Sequence, residues 1–464
     1  MRRALRENAL CALLALAGCA ALAWLGLYGA GWNDYEVEAQ PSFDALVHGH
    51  LARFLQLAPV YGGSLIERSP FALLPGLWGG GALAVYRAVA VPCLLATAVL
   101  AVVLVAAMRS EGKPRLARGL VLALLVASPI SLLALEVGHP EELLGGALCL
   151  GAILLAAAGD VSRRRALAAG VLLGLAIANK QWALLAAGPV LLPLPASRRL
   201  ARCAAALAVA ALIEAPLLVA ATGTYVHASS TAAAPGSGIF QPWQVWWFLG
   251  HHGPLVHGLF GEAKPGYRTE PSWTSTLSHP LVLLAGLAVP FVLWLRRRPE
   301  RLTGEAALLL FALVMVLRCV LDTWDIGYYM VPALFALTAW EARTGGRAGN
   351  RPPVLALAVT VLAWLSFSWL PPRISPDAQA ATFLAWSLPL AALLAWRLWA
   401  IVPARAGGGL RAAVSPARAL RRGALGLPVQ ETTARPFGSA VSTSQPSART
   451  TTRSSMRTPS RSGR

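Results

Sequence analysis

Directly after an apolar run, Gly31-Trp32-Asn33-Asp34-Tyr35-Glu36-Val37-Glu38 gathers carboxylates into one short stretch. A carboxylate fixed at the edge of a cavity can take the proton from a hydroxyl, and one at the end of a rigid helix is held better than one on a loop tip. Asp34 is the candidate base on that ground; a solvated acidic loop start is the plainer reading of the same residues. The stretch Glu136-Val137-Gly138-His139-Pro140-Glu141-Glu142 crowds acids and a histidine at the end of another apolar run. There they either hold a ligand's hydroxyls or form a turn facing water. His251-His252 and His257 lack companions at ligand spacing, so no metal and no cofactor are assigned.

The elements that must position these residues are apolar helices. The chain has 464 residues, 56% hydrophobic and 13% charged, which is more apolar than a soluble core of this size needs. Stretches such as Ala82 to Met108, longer than the roughly 20 apolar residues that cross a bilayer, and the shorter Leu281 to Leu295 recur along the chain. Their recurrence predicts an all-α, polytopic membrane protein with 10–12 transmembrane helices over residues 1–403. Leu10 to Tyr28, after Arg2, Arg3 and Arg6, is expected to be an uncleaved first helix, since it is long for a signal and lacks an A-x-A site. Ala166–Ala178 and Ala183–Leu194 are short for crossings and suit helices lining a cavity around Lys180. Cys11, Cys19, Cys93, Cys149, Cys203 and Cys319 lie in or beside apolar runs and read as small hydrophobes.

A net charge of +19 would suit nucleic acid, but the basic residues fall in short clusters between spans and in one tail, so no nucleic-acid partner is expected. Arg109/Lys113/Arg115/Arg118, Arg163–Arg165, Arg198/Arg199/Arg202, Arg296–Arg298/Arg301 and Arg343/Arg347/Arg351 fall on one side when loops alternate. By the positive-inside rule that side, with both termini, is cytoplasmic. The other side holds every histidine and most acids, including Asp44, Glu67, Glu262, Glu270, Asp322, Asp325 and Asp377. Chemistry is therefore expected on the extracytoplasmic face of a multi-pass cell-membrane protein. Two external loops dominate. In residues 31–70, Phe43, Leu46, Val47, Phe54, Leu55 and Leu57 suggest an amphipathic helix in the interface. In residues 222–279, Trp243, Trp246, Trp247, Phe248 and Trp273 suggest rings at headgroup depth. Residues 404–464, rich in Ser, Thr, Pro, Gly and Arg, read as a disordered basic cytoplasmic tail that could touch anionic lipid.

An acid just after the first helix, an amphipathic stretch and many positive-inside spans resemble the glycosyltransferase C superfamily. Three stretches narrow the resemblance: Gly174-Leu175-Ala176-Ile177-Ala178-Asn179-Lys180-Gln181-Trp182, Gln241-Pro242-Trp243-Gln244-Val245-Trp246-Trp247-Phe248-Leu249-Gly250 and Leu321-Asp322-Thr323-Trp324-Asp325-Ile326-Gly327-Tyr328-Tyr329-Met330-Val331-Pro332. Together they look like glycosyltransferase family 87, the actinobacterial polyprenol-phosphate-mannose-dependent mannosyltransferases. One departure is Glu67-Arg68-Ser69-Pro70, where a tyrosine-proline signature often stands.

That resemblance implies a mannosyl or similar sugar on a polyprenyl phosphate, attacked by an acceptor hydroxyl with inversion at the anomeric carbon. The acceptor is a glycolipid or an envelope polysaccharide, and membrane lipids surround the protein. Asp34 takes the place of the superfamily's essential acid, with Glu36 as the second acid of a D-x-E variant. A leaving phosphate needs cations nearby. Lys180 is one candidate, with a snorkelling interfacial lysine as the alternative; Arg318 is another, or else pairs with Asp322 or Asp325. His139 and Glu141 become candidates for holding the sugar or acceptor, and Tyr328 for stacking on a sugar or anchoring at the interface. The rival reading is a secondary transporter or lipid flippase, which predicts internal repeats that are not evident; only Glu214 sits deep in a span. A non-catalytic envelope-assembly subunit is a third, and would tolerate loss of Asp34.

Overall fold

The computed structural model describes residues 2–28, 34–159, 162–233, 240–253, 255–257, 263–297, 301–344 and 351–402, with 2–6, 224–233 and 297 as backbone alone. Gly31-Trp32-Asn33, Glu262 and the expected tail of 404–464 lie outside the described residues. The helices are α1 (Arg2–Gly26), α2 (Gln40–Val47), α3 (Leu51–Gln56), α4 (Gly62–Ala72), α5 (Ala82–Ser110), α6 (Arg115–Val126), α7 (Pro129–Val137), α8 (Glu141–Ala156), α9 (Arg163–Asn179) and α10 (Ala187–Leu191). They continue as α11 (Ala196–Ala233), α12 (Ser272–Arg297), α13 (Gly304–Leu321), α14 (Val331–Arg343), α15 (Val354–Trp364) and α16 (Pro376–Ile401). A short antiparallel ribbon, β1 (Val256–His257) and β2 (Ala263–Lys264), lies in the large loop.

Among the described residues seven helical runs are long and apolar enough to cross a membrane: α1, α5, α6 with α7, α11, α12, α13 and α16. The sequence suggests 10–12 spans; seven of the described helical runs meet that length, and others, such as α8, of 16 residues, and α14, of 13, are shorter. α13 is apolar around its whole circumference and is buried nearly throughout, against α14, α16 and α8. By contrast α11 and α12 keep Leu207, Leu212, Val219, Leu283, Leu284, Leu287 and Phe291 exposed, the pattern of lipid-facing helices.

Small residues let the inner helices approach. A Cβ on Gly174 of α9 would stand 2.5 Å from the Ala206 carbonyl oxygen of α11, so only glycine permits that crossing. Lys180 ends α9 in an extended conformation, and a 3-10 turn over Gln181–Ala186 leads into α10. The two short apolar segments expected around Lys180 are therefore two helices broken at that residue.

Residues expected to form one amphipathic helix in the interface form α2 and α3, with Gly49 at φ +79° between them. Phe43 and Phe54 bury themselves in the protein, beside Tyr35, instead of facing lipid. Likewise Trp243 and Trp247 are buried in the protein, whereas Phe248 and Trp273 are exposed.

The turn from α7 to α8 fixes the relation of the two acidic stretches. Gly138 has φ +108°, and its amide and that of His139 both return to the Ala134 carbonyl, at 3.2 and 2.7 Å. A Cβ there would lie 2.4 Å from the Tyr35 nitrogen, so Gly138 also lets the turn touch the segment that carries Asp34. Gly138→Ala is expected to destabilise the protein by about 1–3 kcal/mol. Gly112→Ala, at φ +75° with nothing within 4 Å of its added Cβ, should do less. Thermal unfolding of the two variants in detergent compares them; equal losses would mean the contact with Tyr35 is unimportant.

Candidate active site

Glu141 and Glu142 open α8 side by side, 1% and 0% exposed. Their side chains diverge around the helix and collect different partners. Glu141 Oε2 lies 3.3 Å from Arg68 Nη2 of α4, while its Oε1 lies 2.6 Å from His139 Nδ1 and 3.2 Å from Lys180 Nζ. Glu142 Oε1 accepts from Trp182 Nε1 at 3.2 Å and faces Lys180 Nζ at 3.5 Å and Arg318 Nη2 of α13 at 3.8 Å. Asn179, at the end of α9, donates to the Glu141 carbonyl and accepts from Ser64 of α4, both at 2.9 Å, so α4, α8 and α9 are tied together beneath the charges.

His139 links this cluster to the first loop. Its Nε2 is 3.1 Å from Asp34 Oδ2. Asp34 begins a π-helical turn, Tyr35–Ala39, that leads into α2, and Tyr35 stacks on Tyr86 of α5 with ring centroids 4.1 Å apart. Burial and Lys180 push the His139 imidazolium toward the neutral form, but Glu141 and the hydrogen bonds with Asp34 and Glu141 win and raise it to about 9. At neutral pH His139 therefore donates from both nitrogens, to Asp34 and to Glu141. The Asp34 side chain remains 26% exposed.

A helical i, i+4 offset from Asp34 brings Glu38, not Glu36, to this place. Ligand atoms of Asp34, Glu38 and His139 lie within 4.8 Å of one another, the metal-capable group among the described residues. A cation entering there competes with the proton on His139. Glu38 Oε2 accepts from the Tyr61 hydroxyl at 2.7 Å.

Beyond Lys180 opens a cavity of about 500 Å³. Lys180, Arg318, His279 and Asp322 line its polar part, and Val60, Leu184, Leu185, Val282 and Leu283 its apolar part. Aromatic faces hold the cations: Lys180 Nζ lies 4.3 Å from the Tyr61 centroid, and Arg318 Cζ 4.1 Å from that of Tyr329 and 5.1 Å from that of Trp182. Asp322 caps α13, accepting from the Trp324 amide at 2.9 Å, with His279 Nε2 at 3.5 Å. Burial pushes its carboxyl upward, and His279 with Arg318 overcomes that, leaving it below the ordinary carboxylate range.

Of the residues singled out in the sequence, Asp34, His139, Glu141, Lys180, Arg318 and Tyr328 come together. Glu36 is not in the carboxylate group around His139; the helical turn substitutes Glu38. Glu141, expected at the sugar or acceptor, is 1% exposed and turns both of its oxygens to Arg68, His139 and Lys180. Tyr328 is buried with its ring 4.4 Å from that of His139, so it is no interfacial anchor and packs on the histidine. Arg318 has Glu142 as its close carboxylate, where the sequence offered Asp322 or Asp325. The sequence reading missed Arg68, Tyr61, Trp182 and His279. Arg68 sits in the Glu67-Arg68-Ser69-Pro70 departure, which was the available signal. His252 lies 3.4 Å from Asp377 in the large loop, away from any metal-capable group among the described residues.

Because the proton on His139 is held more tightly in the folded protein than at its ordinary value of 6.5, its stabilisation is complete below about 6.5 and is lost as pH rises through about 9. Thermal unfolding between pH 6 and 10 should show this loss in the intact protein and a flatter profile in His139→Gln. Parallel profiles would assign the alkaline loss to another group.

The sequence profile of Glycosyltransferase family 87 matches residues 62–319, more than half of the chain. Among solved structures, the archaeal oligosaccharyltransferase AglB from Archaeoglobus fulgidus, in complex with an inhibitory peptide and a dolichol-phosphate, is similar at 15% identity and a TM-score of 0.39. The likeness covers 82% of this chain and 56% of that one, so the chain spans little more than half of the length of that protein. No curated protein matches the chain. The chain belongs to glycosyltransferase family 87.

Proposed function

We propose that this membrane glycosyltransferase moves mannose from a polyprenyl phosphate to a hydroxyl of an extracytoplasmic glycolipid or polysaccharide. The observation that carries this reading is the pairing of Lys180 and Arg318 on one half-apolar cavity, with Lys180 a single residue, His139, away from Asp34. An anionic head on a long hydrocarbon chain is the ligand class that such a wall suits. Asp34, partly exposed on the far side of His139, accepts the proton of the acceptor hydroxyl. The acceptor oxygen then bonds to the anomeric carbon as the bond from that carbon to the phosphate oxygen breaks, with inversion. Lys180 and Arg318 face the charge that grows on the departing phosphate. His139, bonded to Asp34, keeps that carboxylate oriented.

The basic helix ends support an orientation with the termini in the cytoplasm and the site outside. Arg301 donates to the carbonyls of Pro193 and Ala158, Lys113 to that of Thr344, and Arg343 pairs with Glu111, so these residues gather at the helix ends remote from Asp34.

Transfer of labelled mannose from a polyprenyl phosphate in membranes with matched expression tests the reading. Asp34→Asn is expected to lower the rate by about 10²-fold or more, and Arg318→Ala to lower it as well, with the KM for the donor raised. Full activity in Asp34→Asn would remove it as the base, and absence of transfer by the intact protein would point to another donor.

A further inference from the structure

We infer that His279, held by Asp322, is a third contact for the donor's phosphate, together with Lys180 and Arg318. This rests on the polyprenyl-phosphate reading given above. The residue is on α12, a different wall of the cavity from the helix break that carries Lys180 and from α13.

A merely structural role is already filled by its neighbour. Ser278 Oγ donates to the Leu321 carbonyl at 2.8 Å and accepts from the Thr323 amide at 3.2 Å, which staples α12 to the end of α13. Trp246 Nε1 donates to the same Leu321 carbonyl at 2.7 Å. His279 lines the cavity beside Asp322 and also interacts with Glu270. A carboxylate next to an imidazole orients the ring, and with both nitrogens protonated one N–H serves the carboxylate and the other a ligand. That form adds a directed N–H beside the two ordered cations of the same cavity.

The order of residues along both walls gives the ligand a direction. On α12, His279 is followed one turn later by Val282 and Leu283; on the other wall Lys180 is followed by Leu184 and Leu185. Both walls pass from charge to hydrocarbon as the chain runs on. An amphiphile whose phosphate lies level with Lys180, Arg318 and His279 then lays its chain along the leucines and valine. A free sugar phosphate would use the charges and leave the apolar wall bare.

The test measures binding of undecaprenyl phosphate and of uncharged undecaprenol to the full chain in nanodiscs. His279→Ala should weaken binding of the phosphate lipid about tenfold, the worth of one charge-assisted hydrogen bond, and leave undecaprenol binding unchanged. His279→Arg should retain affinity for the phosphate lipid, and Asp322→Asn should weaken it several-fold. Unaltered binding in His279→Ala, with binding weakened in Arg318→Ala, would overturn the role of His279 and leave the donor reading standing. An equal loss for phosphate lipid and undecaprenol would show that His279 only supports the fold. Failure of the intact protein to prefer the phosphate lipid over undecaprenol would overturn the donor reading and this inference with it.

Discussion

Two carboxylates buried next to each other at the first turn of a helix make the constraint around which the rest of this site is arranged. Each of Glu141 and Glu142 loses its hydration inside the protein, at several kcal/mol per ion, and an unpaired charge there would not be tolerated. The N-terminus of α8 offsets part of this through its amide groups. The remainder comes from Arg68, His139, Lys180 and Arg318, which are delivered by α4, the α7–α8 turn, the break after α9, and α13. Four separate parts of the chain are thereby drawn to one point.

The same cations have a second side. Lys180 and Arg318 are fixed from behind by carboxylates and flanked by Tyr61, Trp182 and Tyr329, so they line the cavity as ordered charges. A side chain already ordered loses little freedom when a ligand arrives. Likewise His139 meets Glu141 with one nitrogen and Asp34 with the other, which carries the order of the buried cluster out to a carboxylate that is partly exposed. Removing Glu141 would therefore disturb the base and the cationic wall together, although it touches neither reactant in the proposed reaction.

A second lock holds the large loop between α11 and α12. Asp377, at the start of α16, accepts from Trp247 Nε1 at 2.7 Å and from Arg268 Nε and Nη2 at 2.8 Å each, while Trp247 packs on Phe240 and Tyr267. The bidentate geometry fixes the loop's direction as well as its position. Through Trp246, which reaches the Leu321 carbonyl, the same loop meets the end of α13 just beyond Arg318. The aromatic run that suggests headgroup contact in the sequence is spent largely on this internal packing.

The sequence by itself determined the solvent and the cast of charged residues. Runs of apolar residues longer than a soluble helix needs, broken by basic clusters on alternate turns, leave few alternatives to a polytopic helical protein. Carboxylates, histidine and lysine at the ends of such runs also stand out, because ionisable groups beside hydrocarbon are costly enough to require a reason. Asp34, His139, Lys180 and Arg318 were legible for that cause. What only the tertiary structure decided was which of these groups touch. Glu38 displaced Glu36 because a helical turn, invisible in an isolated D-x-E, selects every fourth residue. Glu141 changed from a candidate ligand contact to the anchor of three cations, since its partners are separated from it by two to more than seventy residues. Arg68, though it stands in the Glu67-Arg68-Ser69-Pro70 departure, and His279, in a stretch with no local pattern, received no role, because their meaning comes from neighbours that folding alone supplies.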